Sequence, residues 1–575
     1  MERLTVSLLL VMLAGAPTRQ QETLDWWQTT VLYQIYPRSF KDSNGDGIGD
    51  LNGIKEKLDY IKETGIGAVW ISPIYKSPMV DFGYDISDFR DIDPVYGTME
   101  DFISLKDKMK ELGIKLVMDF VPNHSSDQHE WFKMSVKKVE PYTDYYVWVD
   151  GKIDPKTGER QPPNNWISVF GGSAWKWNEE RGQYYLHQFA VAQPDLNYRN
   201  PAVVKEMNDV LRFWLELGVD GFRIDAVPFL FEDDQLQDEQ RSDVETALPT
   251  DHSYLQHDLT QNLEETYDLV KQWRQLVDQE SAKDGITRAM MIEAYAPIEN
   301  TMKYYGNSSE PGGHFPFNFL LITELRKGFT AQNVEDVINQ WMDNMPPGGW
   351  PNWVVGNHDN KRVASRFGKD LVDAVNMLVM MLPGTAVTYN GEEIGMEDTF
   401  ISWEQTKDPQ ALNAGEERYE LFTRDPERTP FQWNDSTSAG FSTNPQTWLP
   451  VNPNYKTLNL EAQLLEPWSH YQVYKHLVAT RSADTIQKGG LFVKALSDAV
   501  LAFVRELEGS DTYVVVMNLG KERKIADLTV FDSLYQSLTV HIPSSNSGFH
   551  QGQSVATSKI NLPPGAALVL ISQHQ

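Results

Sequence analysis

The sequence predicts an α/β chain: a (β/α)8 TIM barrel with an inserted subdomain after the third strand and a C-terminal antiparallel β domain. Three observations carry this. Eight short β-branched runs recur between residues 31 and 390, with amphipathic helical patterns between several of them. Polar residues, His124, Asp225, Glu293 and Asp359, gather where those runs end. From about residue 488 the texture changes to short alternating runs. Strands that alternate with helices imply a parallel sheet, which closed on itself is the barrel, with its chemistry at the strand ends. An open doubly wound sheet is the alternative. The count of eight and the placement of the polar residues favour the barrel.

The runs occupy 31–37, 68–74, 114–121, 218–227, 289–295, 315–319, 353–359 and 384–390. In the helical stretch 101–113, Phe102, Leu105, Met109 and Leu112 fall at helical spacing and Gly113 ends the pattern. A second helix is opened by Pro201 and closed by Gly218. The segment 122–195 is too long for a βα loop and rich in Trp, Gly and Asn, so it reads as an inserted subdomain beside the mouth. The barrel then takes 22–121 and 196–485, with a long excursion after the eighth strand over 392–459. The β domain takes 486–575.

A chain of 575 residues exceeds the size at which one core stops growing, which calls for more than one domain. Its 17 Trp, 24 Tyr and 25 Phe suit the stacking of flat ligands, although core packing uses the same residues. The net charge of -30 repels nucleic-acid phosphates and anionic membranes, so no nucleic-acid partner is expected. The N-terminus carries Arg3, an apolar run over 6–13 and the small residues Ala14, Gly15 and Ala16. That pattern reads as a signal peptide over 1–16 and predicts a secreted, extracellular protein without a transmembrane segment. There is no cysteine, hence no disulfide. Asn307 and Asn434 open glycosylation sequons on expected loops. A third sequon, at Asn123, lies within a motif and is not expected to carry sugar.

Alternation puts Arg223 and Asp225 on one face of a strand, where a cation would lower the pKa of the carboxyl and keep it anionic, as a nucleophile requires. Glu293 ends an apolar run, which raises a carboxyl pKa, as a general acid requires. His358 and Asp359 end a third run. One Arg-x-Asp alone suits a buried structural ion pair equally well. Acids on three strand ends of one barrel converge on one mouth. Separately, 42–50 places Asp42, Asn44, Asp46, Ile48 and Asp50 at alternate positions of a Gly-rich loop. The opening matches an EF-hand, but Gly53 replaces the bidentate Glu at position twelve, so this is not an EF-hand. Three carboxylates and a carboxamide suit a hard cation, because uncompensated carboxylates that close repel. An Asx/Gly turn without metal is the alternative.

The segments 119–124, 221–227, 291–295 and 354–360 resemble, in order, four regions of the α-amylase family of glycoside hydrolases. Residues 193–197 resemble a further region in its oligosaccharide-acting form, and 81–89, 389–395 and 422–433 match as well. The resemblance covers nearly the whole chain and is nearest to insect maltases. It implies Asp225 as nucleophile, Glu293 as acid/base and Asp359 as transition-state stabiliser of a retaining, exo-acting α-glucosidase. It implies that His124 and His358 bond the glucose hydroxyls and that Arg223 orients Asp225. Asp81 and Arg428 would close the pocket on the terminal sugar, Tyr84 would stack on that sugar, and Phe170 and Phe189 would line the pocket. It also implies structural calcium on the 42–50 loop, with Ile48 contributing its carbonyl. The expected partner is a small oligosaccharide. Ala226 lacks a branched Cβ beside the leaving group, so maltose and sucrose are expected over isomaltose, and starch is expected to be poor. The alternatives are a sucrose isomerase or transglucosidase, and a catalytically inactive relative such as the heavy chain of an amino-acid transporter or a receptor. The sequence sets no oligomeric state.

Overall fold

A computed structural model describes residues 23–572. The barrel strands are β1 (Val31–Ile35), β2 (Ala68–Ile71), β3 (Lys115–Phe120), β4 (Gly221–Ile224), β5 (Ala289–Ile292), β6 (Phe315–Pro316), β7 (Asn352–Val354) and β8 (Thr385–Tyr389). All pairings are parallel and run in the order β6-β5-β4-β3-β2-β1-β8-β7. Sequential neighbours, with β1 beside β8, define a barrel and exclude the doubly wound sheet. Apart from the partly exposed Lys115, these strands are buried throughout, which is why they read as continuous apolar runs rather than alternating ones.

The main outer helices are α1 (Met99–Leu112), α2 (Pro201–Glu216), α3 (Glu264–Ala282), α4 (Ala331–Asn344), α5 (Val372–Met381) and α6 (His470–Thr480). Thr98 and Asp101 form a capping box at the start of α1, which buries Phe102, Leu105 and Met109, and Gly113 ends it in the left-handed conformation. Asn200 caps α2 with Pro201 in its first turn, and Trp214 on its buried face donates its indole N–H to the Phe89 carbonyl, 2.8 Å away.

Between β3 and α2 the chain makes a small three-stranded antiparallel sheet, with strands 148–149, 183–186 and 175–178 in that spatial order. It has its own core of Trp166, Ala174, Trp175, Tyr184 and Leu186. The segment is tied back to the barrel rim where His124 bridges Asp195. After α6 comes a six-stranded antiparallel sheet. Its strand 500–506 shows the two-residue period plainly. Leu501 and Phe503 join the main core, while Val500, Ala502 and Val504 pack in a second core on the other face. The strands 524–526, 554–556 and 560–562 were not anticipated; each is three residues long and too short to carry a periodic signal.

The run at 6–13 and the expected signal peptide lie outside the described residues. Among the described residues no helix is long and apolar enough to cross a membrane.

No ladder joins β6 to β7 among the described residues. Asn352, fully buried, spans that seam instead. Its Nδ2 donates to the Pro316 carbonyl at 2.7 Å, and its Oδ1 accepts the Asn318 N–H at 2.8 Å. Asn352→Ala strands both backbone groups without adding bulk, at about 1–3 kcal/mol for each group left unpaired. Thermal unfolding should show a clearly lower Tm, whereas an unchanged Tm would mean the seam does not depend on this amide.

Candidate active site

The parallel ladder continues one residue past the strand ends. Asp225 N–H donates to the Phe120 carbonyl at 2.8 Å, and Glu293 N–H to the Ile224 carbonyl at 2.9 Å. Asp225 directly follows β4 and Glu293 directly follows β5, so the two acids stand side by side at the barrel mouth. Arg223 of β4 lies opposite Asp119 of β3 in register, and its Nη1 donates to the two Asp119 oxygens at 2.8 and 3.1 Å. The same Nη1 contacts Asp225 Oδ1, while Nη2 reaches Glu293 Oε1 at 3.0 Å. One buried guanidinium therefore serves three carboxyls. Glu293 is also held by the Ala226 N–H, which donates to Oε2 at 2.6 Å. Ala226 adopts a left-handed conformation (φ 48°) to aim that N–H.

A cavity of about 370 Å³ opens at this mouth. It is lined by Asp225, Glu293, Asp359, Asp81, Tyr84, His124, Phe170, Phe189 and His358. Arg223 lies behind these residues, with its guanidinium 5.0 Å from the Trp70 ring. Gln34 Nε2 donates to His358 Nδ1 at 2.8 Å, so the neutral ring carries its proton on Nε2, which meets the Tyr84 hydroxyl at 2.6 Å. That hydroxyl reaches Asp119 Oδ2 at 3.2 Å, and the Tyr84 and His358 rings stack with centroids 5.3 Å apart. The histidine and the Arg223 cluster thus form one hydrogen-bonded unit.

One expected residue is corrected. Arg428 does not face the cavity beside Asp81. It is fully buried behind Asp359, with Nη2 2.7 Å from Oδ1 and Nε donating to the His358 carbonyl. The arginine at the closed end is Arg424. It lines the cavity, pairs with Asp81 at 2.9 Å and with Asp359 at 3.2 Å, and stacks 4.9 Å over Phe170. Asp408, wholly buried, fixes it by accepting from its backbone N–H, Nε and Nη2. Both arginines stand in the same matching motif, and spacing alone does not say which turns inward. Gln193 completes this end, with Nε2 3.2 Å from Asp81 and 3.1 Å from His124.

Burial raises the Asp225 pKa well above the usual carboxyl range; Arg223 opposes the rise, and Glu293 and Asp119 add to it. Burial likewise raises Glu293, against Arg223, and lifts Asp119 to about 6. Arg223 lowers the Asp225 pKa, as expected, but burial and the neighbouring Glu293 and Asp119 carboxyls outweigh it. At Asp359 the outcome is opposite. Burial is outweighed by His358, Arg428 and Arg424, and its pKa falls well below the ordinary value. Burial lowers His124 to about 3, so it is neutral at ordinary pH.

Other residues gathered here went unread in the sequence. Asp119 needed the β3–β4 register to be matched with Arg223. Asp408 has no local signal. Tyr295 ends the fifth run and lines the cavity beside Glu293.

The loop 42–50 is drawn together by its own backbone. Asp42 accepts the N–H groups of Asn44, Gly45 and Gly47 and the Ser442 hydroxyl. Asp50 accepts from Ser43 and caps the next helix through Gly53. Asn44 accepts the Asp46 N–H, and Asp46 the Ile48 N–H. The loop's carboxylates are thus compensated, which removes the premise of unrelieved repulsion. Among the described residues no three acidic, His or Cys side chains are gathered as a metal would need. The donors present are all oxygens, which is the chemistry a calcium ion takes.

Of the sequons, Asn307 is exposed and Asn434 half-buried, with the hydroxyls of Ser309 and Ser436 donating to their respective carboxamides. Asn123 is buried beside His124, where no glycan fits.

The chain belongs to the α-amylase catalytic-domain family, which matches residues 34–490. It is 52% identical to Maltase A1 of Drosophila melanogaster over 95% of this chain and 96% of that one. It is 50% identical to the salivary alpha-glucosidase of Anopheles gambiae, covering 91% and 90%. Among solved structures, the alpha-glucosyl transfer enzyme XgtA superposes with a TM-score of 0.85 at 33% identity, covering 96% of this chain and all of that one.

Proposed function

We propose that this protein is a secreted, exo-acting, retaining α-glucosidase that releases glucose from the non-reducing ends of maltose, sucrose and short α-1,4-oligosaccharides. The observation that carries this is the convergence of Asp225, Glu293 and Asp359 in one cavity whose far end is closed by the Asp81–Arg424 pair. The kinship with maltases and with a salivary α-glucosidase supports both the activity and the export.

One guanidinium spans Asp225 and Glu293, its Nη1 on the first and its Nη2 on the second. That proximity suits the spacing of retaining enzymes, roughly 5–5.5 Å, rather than the wider gap that admits a water between the acids. In the first step the Asp225 carboxylate attacks the anomeric carbon and the glycosidic C–O bond breaks. Glu293 gives its proton to the departing oxygen. In the second step Glu293 takes a proton from water, the water oxygen attacks the anomeric carbon, and the bond to Asp225 breaks. Two inversions give net retention. Asp359, held anionic, faces the positive charge that develops on the sugar. Asp81 and Arg424 grip the hydroxyls of the terminal glucose and leave no room for a chain to continue, which makes starch a poor substrate. The small Ala226 leaves space beside the leaving group. Its left-handed backbone would strain any β-branched replacement, so Ala226→Val reports strain as well as bulk. The complete acid set disfavours the inactive heavy-chain reading, and a transglucosidase would share the same covalent intermediate.

Calcium on the 42–50 loop is part of the proposal. Asp42, Asn44, Asp46, Asp50 and the Ile48 carbonyl would hold it, and it would stabilise the loop without entering the chemistry. Glycans at Asn307 and Asn434 are proposed on the same footing.

Asp225→Asn should lower turnover by at least ~10⁴-fold with the fold intact, because covalent catalysis is lost. Glu293→Gln should harm maltose far more than an aryl glucoside whose leaving group needs little protonation. Near wild-type hydrolysis by the first variant, or equal losses in the second, would refute the assignments.

The pH profile follows from the shared cation. A raised Glu293 pKa keeps the acid protonated to higher pH, which moves the alkaline limb up. A raised Asp225 pKa delays ionisation of the nucleophile, which moves the acid limb up as well. The two limbs are macroscopic values of the coupled pair. A bell-shaped kcat/KM with both limbs above the ordinary carboxyl range is expected, and Glu293→Gln should abolish the alkaline limb.

Chelation should lower Tm more than it lowers activity at moderate temperature, because a cation bound only to the native state stabilises it by mass action. An unchanged Tm together with no metal by elemental analysis would refute the calcium reading.

A further inference from the structure

Beside the catalytic cavity lies a larger chamber of about 630 Å³. Three separate stretches of chain wall it: the inserted subdomain between 168 and 191, the loop after β4 between 250 and 253, and the segment after β8 between 410 and 422. Asp225, Glu293 and Asp359 do not line it, but Phe170, Phe189, His252 and Gln410 line both spaces. Each pair of stretches is tied together. The Gly172 N–H donates to the Thr250 carbonyl at 2.8 Å, and the Asn413 carboxamide donates to the Phe170 carbonyl at 3.2 Å. Arg418 meets Asp251 as a two-pronged pair, Nη1 to Oδ1 and Nη2 to Oδ2, each at 2.8 Å. The chamber is therefore preformed.

Its lining says what it can hold. Among the described residues that line it, only Asp251 and Arg418 carry a formal charge, and they neutralise each other. Burial lowers His187 to about 4 and His252 to about 3, so both rings are neutral at ordinary pH. An ionic ligand finds no net counter-charge here. What remains are the hydroxyls of Thr250 and Ser253 and the carboxamides of Gln410 and Asn413, beside the rings of Phe170, Phe189 and Phe422. That combination suits a neutral ring with hydroxyls at its edge and C–H groups on its faces. The charged pair also repeats the closed end of the catalytic cavity. There Asp81 pairs with Arg424, whose guanidinium lies 4.9 Å from the Phe170 ring. Here Asp251 pairs with Arg418, whose guanidinium lies 5.1 Å from the Phe422 ring. In both, a carboxylate that accepts and a guanidinium that donates stand side by side, as vicinal hydroxyls require.

We propose that this chamber is a second, non-catalytic saccharide site, which holds a neutral mono- or disaccharide on the Asp251–Arg418 pair. The parallel with the catalytic cavity rests on the α-glucosidase reading. A sugar held here touches Phe170 and Phe189, which also line the catalytic cavity, so filling one space is felt in the other.

The test counts bound maltose. Asp225→Asn should bind maltose without turning it over, so equilibrium dialysis of that variant gives the number of sites. Two equivalents per chain are expected. Two further substitutions, each added to Asp225→Asn, assign the second equivalent. Ser253→Trp places an indole in the chamber and leaves the charged pair intact, and Arg418→Leu removes the guanidinium. Neither residue lines the catalytic cavity. Each should abolish the second equivalent or weaken it about tenfold or more, the scale of one hydrogen bond to a charged group, and should keep the first. Ser253→Trp guards against loss of folding when the pair is broken. A single equivalent in Asp225→Asn, or two that survive both substitutions, overturns the proposal. No bound maltose at all overturns the α-glucosidase reading and the second site with it.

Discussion

Arg223 is the one cation that Asp119, Asp225 and Glu293 share, and the acid site is built around it. Buried carboxylates without a counter-charge are costly. A single guanidinium beside three of them leaves protons to be divided among the group. Burial, only partly offset by that one charge, raises Asp225 and Glu293 together. In the proposed reaction, that is what would let Glu293 hold a proton as the acid while Asp225 acts as the nucleophile.

Asp359 lives in the opposite environment. Arg424 and Arg428 pair with it and hold it anionic. The site is therefore polarised: a proton-retaining pair lies on the β4 and β5 side and a fixed negative charge on the β7 side. In the proposed reaction, a sugar whose anomeric carbon becomes positive between them would meet charge that is already in place, with no reorganisation needed when the bond breaks. The same arginines do two jobs. Arg428 fixes Asp359 from behind, and Arg424 joins Asp359 to Asp81 and so closes the far end of the cavity. One ion-pair network thus joins Asp359 to Asp81, with Asp408 as its buried anchor.

The frame beneath this is the parallel ladder. It carries hydrogen bonds one residue beyond the strands, so that Asp225 and Glu293 are aligned by backbone rather than by flexible loops. Asn352 completes the ring where β6 and β7 do not pair. The inserted subdomain then brings Phe170, Phe189 and Gln193 over one side of the mouth, and the segment after β8 brings Arg424 and Asp408 over the other.

By itself the sequence determined the elements and the chemistry-bearing residue types. Eight buried strands show as apolar runs because both faces of a barrel wall are covered, and helix ends show at Gly113, Pro201 and Gly218 because such end signals are local. Asp225, Glu293, Asp359, His124 and His358 could be placed at strand ends because a barrel has only one mouth for such ends to share. Only the tertiary structure decided which arginine faces the cavity, since Arg424 and Arg428 sit four residues apart in one irregular segment and their directions depend on Asp408, Asp81 and Asp359. It likewise decided that Arg223 is shared, because Asp119 meets it through strand register rather than sequence proximity. It decided that the 42–50 carboxylates are compensated, because Asx turns are made by φ and ψ, which residue identity permits without dictating. And it decided that Asp251 pairs with Arg418, since that contact joins two loops that the chain holds far apart. Local signals fix what each segment is; which side chains share a charge is fixed only when the barrel closes.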